Sequence, residues 1–463
     1  MKWLIRSSAP FSLPGARSNC MDVEGFVRRL RAEGTPGDEI QALLADHVRR
    51  LKPVSEEYAR DFARAVIEEV EISEQARGDI FEFTPAGVRM GEFGVGSRGK
   101  GDFYAHRKIA EIIGHTTAAV GVEEMDDGGV VSAGGKWIAV TVDGMHSRLS
   151  DYPFLAGFHA TRATLRDVCV MGARPVALFS DIHVADDGDV AKIFDYTAGI
   201  TTVSEGMGVP LVSGSTLRIG GDMVLGTRMT GCVGAVGVSS HVTPRKASAP
   251  GDVILMTTGS GGGTIATAAI YSGMPEVVDR TLNLDFLRAV QALLASDIRP
   301  EIHAMTDVTN GGLRGDAHEM AATAKARIVI EDRNLRTLVD PVVLSMLDRL
   351  QIDYLGVSLD ALLVVAPAKA ADRIIRVVGD AGVPMEVIGR VEKGTPAAVL
   401  VVDGREQDFT PRFRESAYTP LKKVVDRPGR DFDEMKAGVD RAATAAVEKK
   451  RRVLARITGP GRR

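Results

Sequence analysis

Between residues 21 and 75 apolar positions recur three and four apart. Val23, Phe26, Val27 and Leu30 form one stripe, and Ile40, Leu43, Leu44, Val48 and Leu51 form another. That spacing predicts amphipathic helices. Gly34-Thr35-Pro36-Gly37 separates the first from the second, and Pro53 separates the second from a third over 56–71. Past residue 130 the pattern changes to short apolar runs alternating with helical stretches. Trp137-Ile138-Ala139-Val140-Thr141-Val142 reads as a buried strand. The helix after it carries Arg166-Asp167-Val168 and is stopped by Gly172 and Pro175. Strands are predicted over 176–184, 210–216 and 223–236, with a helix over 190–206. A basic, proline-containing linker at 244–251 opens a second unit. It holds a strand over 252–256, helices over 265–271 and 284–295, and a short apolar segment that reaches Asp307. A helix from Leu313 to about Ala324 and strands at 327–331, 361–365, 385–388 and 397–402 complete it. A charged tail with a basic helix, Met435 to about Leu454, closes the chain. Strands and helices in this order predict layered α/β packing behind a helical extension.

The 463 residues exceed what one core supports and fit two or three domains. Hydrophobic residues at 44% and charged residues at 25% are ordinary for a soluble globular protein. A net charge of −4 argues against a dedicated nucleic-acid binder, which is usually basic. No apolar stretch approaches the ~20 residues of a membrane span. Residues 1–20 lack a signal peptide's continuous apolar core, so they are expected to be a disordered leader or a start-site artefact ahead of Met21. Cys20, Cys169 and Cys232 form no C-x-x-C pair, which argues for a reducing cytoplasm and against a disulfide framework.

The candidate chemistry is carried by aspartates and glycines. Asp143 leaves the end of a buried strand and Asp167 sits on the next helix. Carboxylates are costly to bury unpaired. Two beside a hydrophobic element point to a cation, and a cation near glycines points to a phosphate. The run from Met90 to Asp102 contains Gly91, Gly94, Gly96, Gly99 and Gly101 with Arg98 and Lys100. Such a loop can cradle phosphate with backbone N–H groups. It imitates a P-loop, but Gly101 stands where that motif needs Ser or Thr. A phosphate-covering loop of another build and a plain linker are the alternatives. Asp126 and Asp127 are either turn formers or ligands. The glycine turn 257–264 either binds an anion at a helix N-terminus or packs tightly. His146 and His183 are expected to be satisfied structural histidines, and Asp316 and Glu319 to be solvated on their helix.

These residues resemble a superfamily of ATP-dependent enzymes related to aminoimidazole ribonucleotide synthetase (PurM-like). It includes selenophosphate synthetase, thiamine-monophosphate kinase and the hydrogenase maturation protein HypE. Met125-Asp126-Asp127-Gly128 is similar to its Gly-Asp-Asp segment, and Thr141-Val142-Asp143-Gly144 to its Thr-Thr-Asp strand end. Leu165-Arg166-Asp167-Val168, running on to Met171-Gly172-Ala173-Arg174-Pro175, resembles its Asn-Asp helix. Thr306-Asp307-Val308-Thr309-Asn310-Gly311-Gly312-Leu313 resembles its Asp-Val-Ser-x-Gly-Gly-Leu segment. The ordered set spans about residues 91–405.

The resemblance implies a two-domain PurM-like α/β (α+β layered) fold with an N-terminal helical extension. Expected boundaries are a leader and extension at 1–90, an ATP-binding and dimerisation domain at 91–243, a second domain at 244–410 and a tail at 411–463. It implies an ATP- and magnesium-dependent kinase or synthetase acting on a small-molecule substrate, as a homodimer. Asp127, Asp143, Asp167 and Asp307 would be metal ligands, and Asp143, Asp167 and Lys100 would be catalytic. Gly96, Arg98, Gly99, Lys100, Gly101, Asp126, Gly214 and Thr216 would bind the nucleotide. One family acid is missing: Ser213-Gly214-Ser215-Thr216 places a serine there. That substitution leaves open an alternative, a nucleotide-binding regulatory or scaffold protein without turnover.

Overall fold

The computed structural model describes residues 21–96, 99–309, 311–412, 417–425 and 430–458. Arg98, Asn310 and the leader 1–20 lie outside them. In chain order, β1 (Met21–Asp22) leads into α1 (Val23–Ala32), α2 (Gly37–Leu51) and α3 (Glu56–Ser73). A single turn, α4 (Met90–Phe93), precedes α5 (Lys100–Ile113). The first α/β half follows: β2 (Gly129–Ala133), β3 (Lys136–Gly144), α6 (Pro153–Val170), β4 (Arg174–Val184), α7 (Ala191–Met207), β5 (Leu211–Arg218), β6 (Val224–Leu225) and β7 (Met229–Ser239). The second half opens with β8 (Asp252–Thr257), α8 (Gly263–Tyr271), α9 (Val278–Thr281), α10 (Asp285–Ala295), β9 (Ala304–Val308) and α11 (Gly312–Ala324). It continues with β10 (Arg327–Glu331), α12 (Pro341–Leu350), β11 (Ala361–Pro367), α13 (Ala371–Asp380), β12 (Met385–Glu392), β13 (Ala397–Val402) and β14 (Arg405–Asp408). The tail forms α14 (Pro420–Val425) and α15 (Phe432–Thr458).

The chain divides into two units. One comprises the chain up to Ala76 with Ile182–Lys192 and Thr216–Thr230. Two of its helices, α1 and α3, begin on side-chain caps: Asp22 accepts from Gly25 N at 2.9 Å, and Ser55 accepts from Tyr58 N at 3.1 Å. The apolar stripes read from the sequence meet in one core, where Val23, Val27, Ile40, Leu44, Val48 and Val66 are buried. β1 pairs antiparallel with β6, Met21 opposite Leu225. The predicted continuous strand over 223–236 is therefore two elements. Gly226 takes a φ of 115°, which turns the chain out of the extended conformation between β6 and β7.

The other unit comprises Arg77–Asp181, Ile193–Ser215 and the chain from Gly231. Its first-half strands belong to a five-stranded sheet in the order β2-β3-β7-β4-β5. Trp137 to Gly144 on β3 pair antiparallel with Ser239 to Cys232 on β7. Side chains alternate across a sheet, so one face packs on α6 and the other does not. Val131, Val140, Val142, Val176 and Val212 are exposed. The second half forms a seven-stranded sheet, β14-β13-β10-β12-β8-β11-β9. Only β10 and β13 among its pairs run parallel. Its core gathers Ile254, Met256, Ile265, Leu313, Ile328 and Leu363.

Two further expectations change. Part of the glycine-rich loop is helical: Gly99 is the N-cap of α5, and Lys100 and Gly101 lie in its first turn. Asp316 and Glu319 are not solvated. They are 2% and 6% exposed, because the residue that meets them, Arg245, folds in from the linker at 244–251.

Candidate functional site

β3, α6 and β9 deliver their aspartates to one cavity of about 560 Å³. Asp143 comes from the end of β3, Asp167 from α6 and Asp307 from near the end of β9. Asp126 and Asp127 arrive from the turn before β2, and Gly96 also lines the cavity. The remaining predicted residues are placed elsewhere. Gly99, Lys100 and Gly101 open α5, and Gly214 and Thr216 lie on the exposed strand β5; none of them lines the cavity. The Gly96 N–H donates to Asp102 Oδ1 at 2.8 Å.

Each carboxylate has its own surroundings. Asp126 accepts from the backbone N–H groups of Arg245 at 2.9 Å and Asp127 at 3.0 Å. Asp127 accepts from Thr306 Oγ1 at 2.7 Å and pairs with the Arg245 guanidinium. Burial pushes the Asp127 carboxyl up to about 7, with Asp307 and Asp126 adding to the push and Arg245 opposing it. Asp167 accepts from Thr141 Oγ1 at 3.2 Å. Burial holds its carboxyl well above the ordinary range, and the charges of Asp143, Asp307 and Asp127 raise it further. Asp307 is 1% exposed and faces Arg166, Nε to Oδ2 at 3.0 Å.

Arginines that the sequence reading passed over organise this arrangement. Arg245 holds Asp127, Thr306 and Glu319 together, the last at 3.1 Å. Arg162 and Arg166, both buried on α6, pair with Asp360. Arg162 also donates to the carbonyls of Asn283 and Gly261, each at 2.8 Å. The available signal was the 3–4 spacing of His159, Arg162 and Arg166 on one helix face, a row of polar residues within an otherwise apolar helix.

The donor set fits a hard divalent cation. It is all oxygen, and its members raise one another's proton affinity, as like charges without enough counter-charge do. Among the described residues no three metal-ligating side chains already stand together as a cage. Magnesium does not require one, since it is commonly held by one or two carboxylates plus nucleotide phosphates. Asp127 faces Arg245 and Asp307 faces Arg166.

Comparison with known proteins agrees with this architecture. Residues 125–237 match the AIR synthase related protein N-terminal domain, and residues 249–402 match the C-terminal domain of the same family. An uncharacterized protein of Methanocaldococcus jannaschii is 50% identical over 448 residues, covering 93% of this chain and 97% of that one. The selenide, water dikinase of Myxococcus xanthus is 28% identical over 61% of this chain and 87% of its own. The structure of HypE in complex with ATP has a TM-score of 0.51 at 20% identity, covering 61% of this chain and 86% of that one. The fold and site thus define a PurM-like two-domain protein. The chain belongs to the AIR synthase related family, whose members include ATP-using enzymes.

Proposed function

We propose that the protein is an ATP- and magnesium-dependent phosphoryl-transfer enzyme, a kinase or synthetase for a small substrate. The observation that carries this is the set of mutually repelling carboxylates, Asp127, Asp143 and Asp167, lining a cavity of about 560 Å³. Asp143 and Asp167 would hold the magnesium, with Asp127 adjoining. Bound magnesium would neutralise polyphosphate charge. The chain's own contribution is positioning and charge compensation, which is most of what phosphoryl transfer requires. Arg245 and Arg166 keep Asp127 and Asp307 oriented. Gly96 supports a place for the glycine-rich segment at the cavity edge.

The exposed valines of the five-stranded sheet support a homodimer joined across that face. Exposed apolar side chains on a sheet are suited to an interaction site. A cytoplasmic enzyme is consistent with the described residues, none of whose helices is long and apolar enough to cross a membrane. The non-catalytic reading keeps one specific support: Ser215 stands for the family acid, and its strand β5 lines no part of the cavity.

The test measures magnesium-nucleotide binding and ADP formation. Asp143→Asn and Asp167→Asn are expected to weaken binding at least tenfold, or about 1.4 kcal/mol, with folding retained. Unchanged affinity in both variants would remove these residues from the site. Tight nucleotide binding without ADP formation from any acceptor would favour the regulatory reading.

A further inference from the structure

A second group of side chains meets at the same cavity. α8 begins at Gly263, and no side chain caps its N-terminus. The first N–H groups of a helix have no partner within it. Gly262, Gly263 and Thr264 line the cavity together with Arg148 and Lys422. A Cβ on Gly263 would stand 3.3 Å from that of His146 and 3.6 Å from that of His159, so both imidazoles flank the turn. Tyr418 meets His146 Nε2 at 2.7 Å, and the Lys422 ammonium lies 4.2 Å from the Tyr418 ring centroid.

Neighbouring hydroxyls fix both tautomers. Thr267 directs its proton to the Gly263 carbonyl at 2.7 Å, so His146 Nδ1 donates to Thr267 and His146 Nε2 accepts from Tyr418. Thr281 likewise directs its proton to the Val278 carbonyl at 2.7 Å, so His159 Nε2 donates to Thr281 at 3.3 Å. His159 Nδ1 is then a bare acceptor. It has no hydrogen-bond partner, although His159 is only 6% exposed. Leaving a buried acceptor unmet is costly, and a ligand N–H or O–H would meet it.

The geometry points to an anion subsite here, resting on the phosphoryl-transfer function proposed above. Lys422, Arg148 and the N-terminus of α8 hold a carboxylate or phosphate of the acceptor substrate, and His159 Nδ1 receives its N–H or O–H. Cations beside an uncapped helix N-terminus are suited to an anion for two reasons: oriented N–H groups and the helix dipole. The substrate class is a small anion that carries an amine, amide or hydroxyl. Tyr418, Leu421, Lys422 and Val425 all line the cavity, yet they lie beyond residue 402, where the family match ends. Acceptor selection is thereby assigned to a segment outside the two family domains.

The experiment saturates the full-length protein with magnesium and a non-hydrolysable ATP analogue, then titrates inorganic phosphate and, separately, acetate. One or both are expected to bind. Lys422→Glu is expected to weaken that binding at least tenfold and Lys422→Arg to preserve it, with analogue affinity unchanged in both. Lys422 is half-buried on a short surface helix, so both variants should keep the wild-type melting temperature. Binding of phosphate alone would indicate a phosphorylated acceptor, and of acetate alone a carboxylate one. Equal binding by wild type and Lys422→Glu, or no binding of either anion, overturns the subsite. If the analogue itself fails to bind wild type, the proposed function falls, and the same titration of nucleotide-free protein still decides the subsite.

Discussion

Asp127 and Asp316 both end beside Arg245, yet only the first stood out in the sequence. Asp127 sits in a glycine-flanked turn before a strand, a local context that marks it. Asp316 is one of several polar residues on α11, and nothing local says that its face is covered. The same holds for Arg245, whose neighbours read as a linker. Burial has a measurable consequence for these groups. Asp127 titrates at about 7 in the folded state against an ordinary 3.8, so the folded protein binds more protons in that window and loses stability as pH rises. His146 and His159 act in the opposite direction. Burial, with nearby cations, lowers them to about 4 and about 3 from 6.5. The unfolded chain then binds more protons below 6.5, and stability rises with pH up to that point. His159→Asn removes one rising contribution. Relative to wild type, its unfolding free energy should fall with increasing pH by up to about 1.4 kcal/mol per unit between roughly pH 3 and 6.5. Denaturant titrations across that range check this, and parallel profiles would overturn it.

α6 is the element on which the site depends, since it carries His159, Arg162, Arg166 and Asp167. Its position is set by α7 at two glycines. A Cβ on Gly157 would collide with the Tyr196 carbonyl oxygen, and one on Gly199 would collide with the Phe154 carbonyl oxygen. Glycine permits this backbone approach because it lacks a Cβ. Gly157→Val should therefore cost about 1–3 kcal/mol or more through overpacking, and should weaken nucleotide binding by displacing Asp167. Chemical denaturation and nucleotide titration measure the two effects, and wild-type values in both would contradict the contact. Elements of this kind were legible as helices from their periodicity. Their spacing was not, because it depends on which glycines face each other across residues far apart in the chain. The glycine-rich segment at 90–102 teaches the converse. Its composition read as loop, but a helical turn precedes Gly94 and α5 starts at Lys100.

The exposed face of the five-stranded sheet poses the question of assembly for the whole molecule. Val142 and Val212 are 60% and 63% exposed, unusual for β-branched residues on a sheet face unless another surface covers them. Val212→Lys is expected to shift sedimentation from dimer to monomer while leaving the helical circular dichroism intact. Sedimentation identical to wild type would exclude this face as the interface.

Short-range pattern determined the element order and the strand-end aspartates, because period, glycine turns and carboxylates after apolar runs are written within a few residues. It also determined family membership, through motifs whose order survives along the chain. Other features arose only when distant segments packed. The pairing of Asp307 with Arg166, the burial of Arg245 among three acids, and the seating of Tyr418 and Lys422 against His146 and the α8 turn are of that kind. Such contacts depend on which side chains share a low-dielectric space, and neither spacing nor composition encodes that.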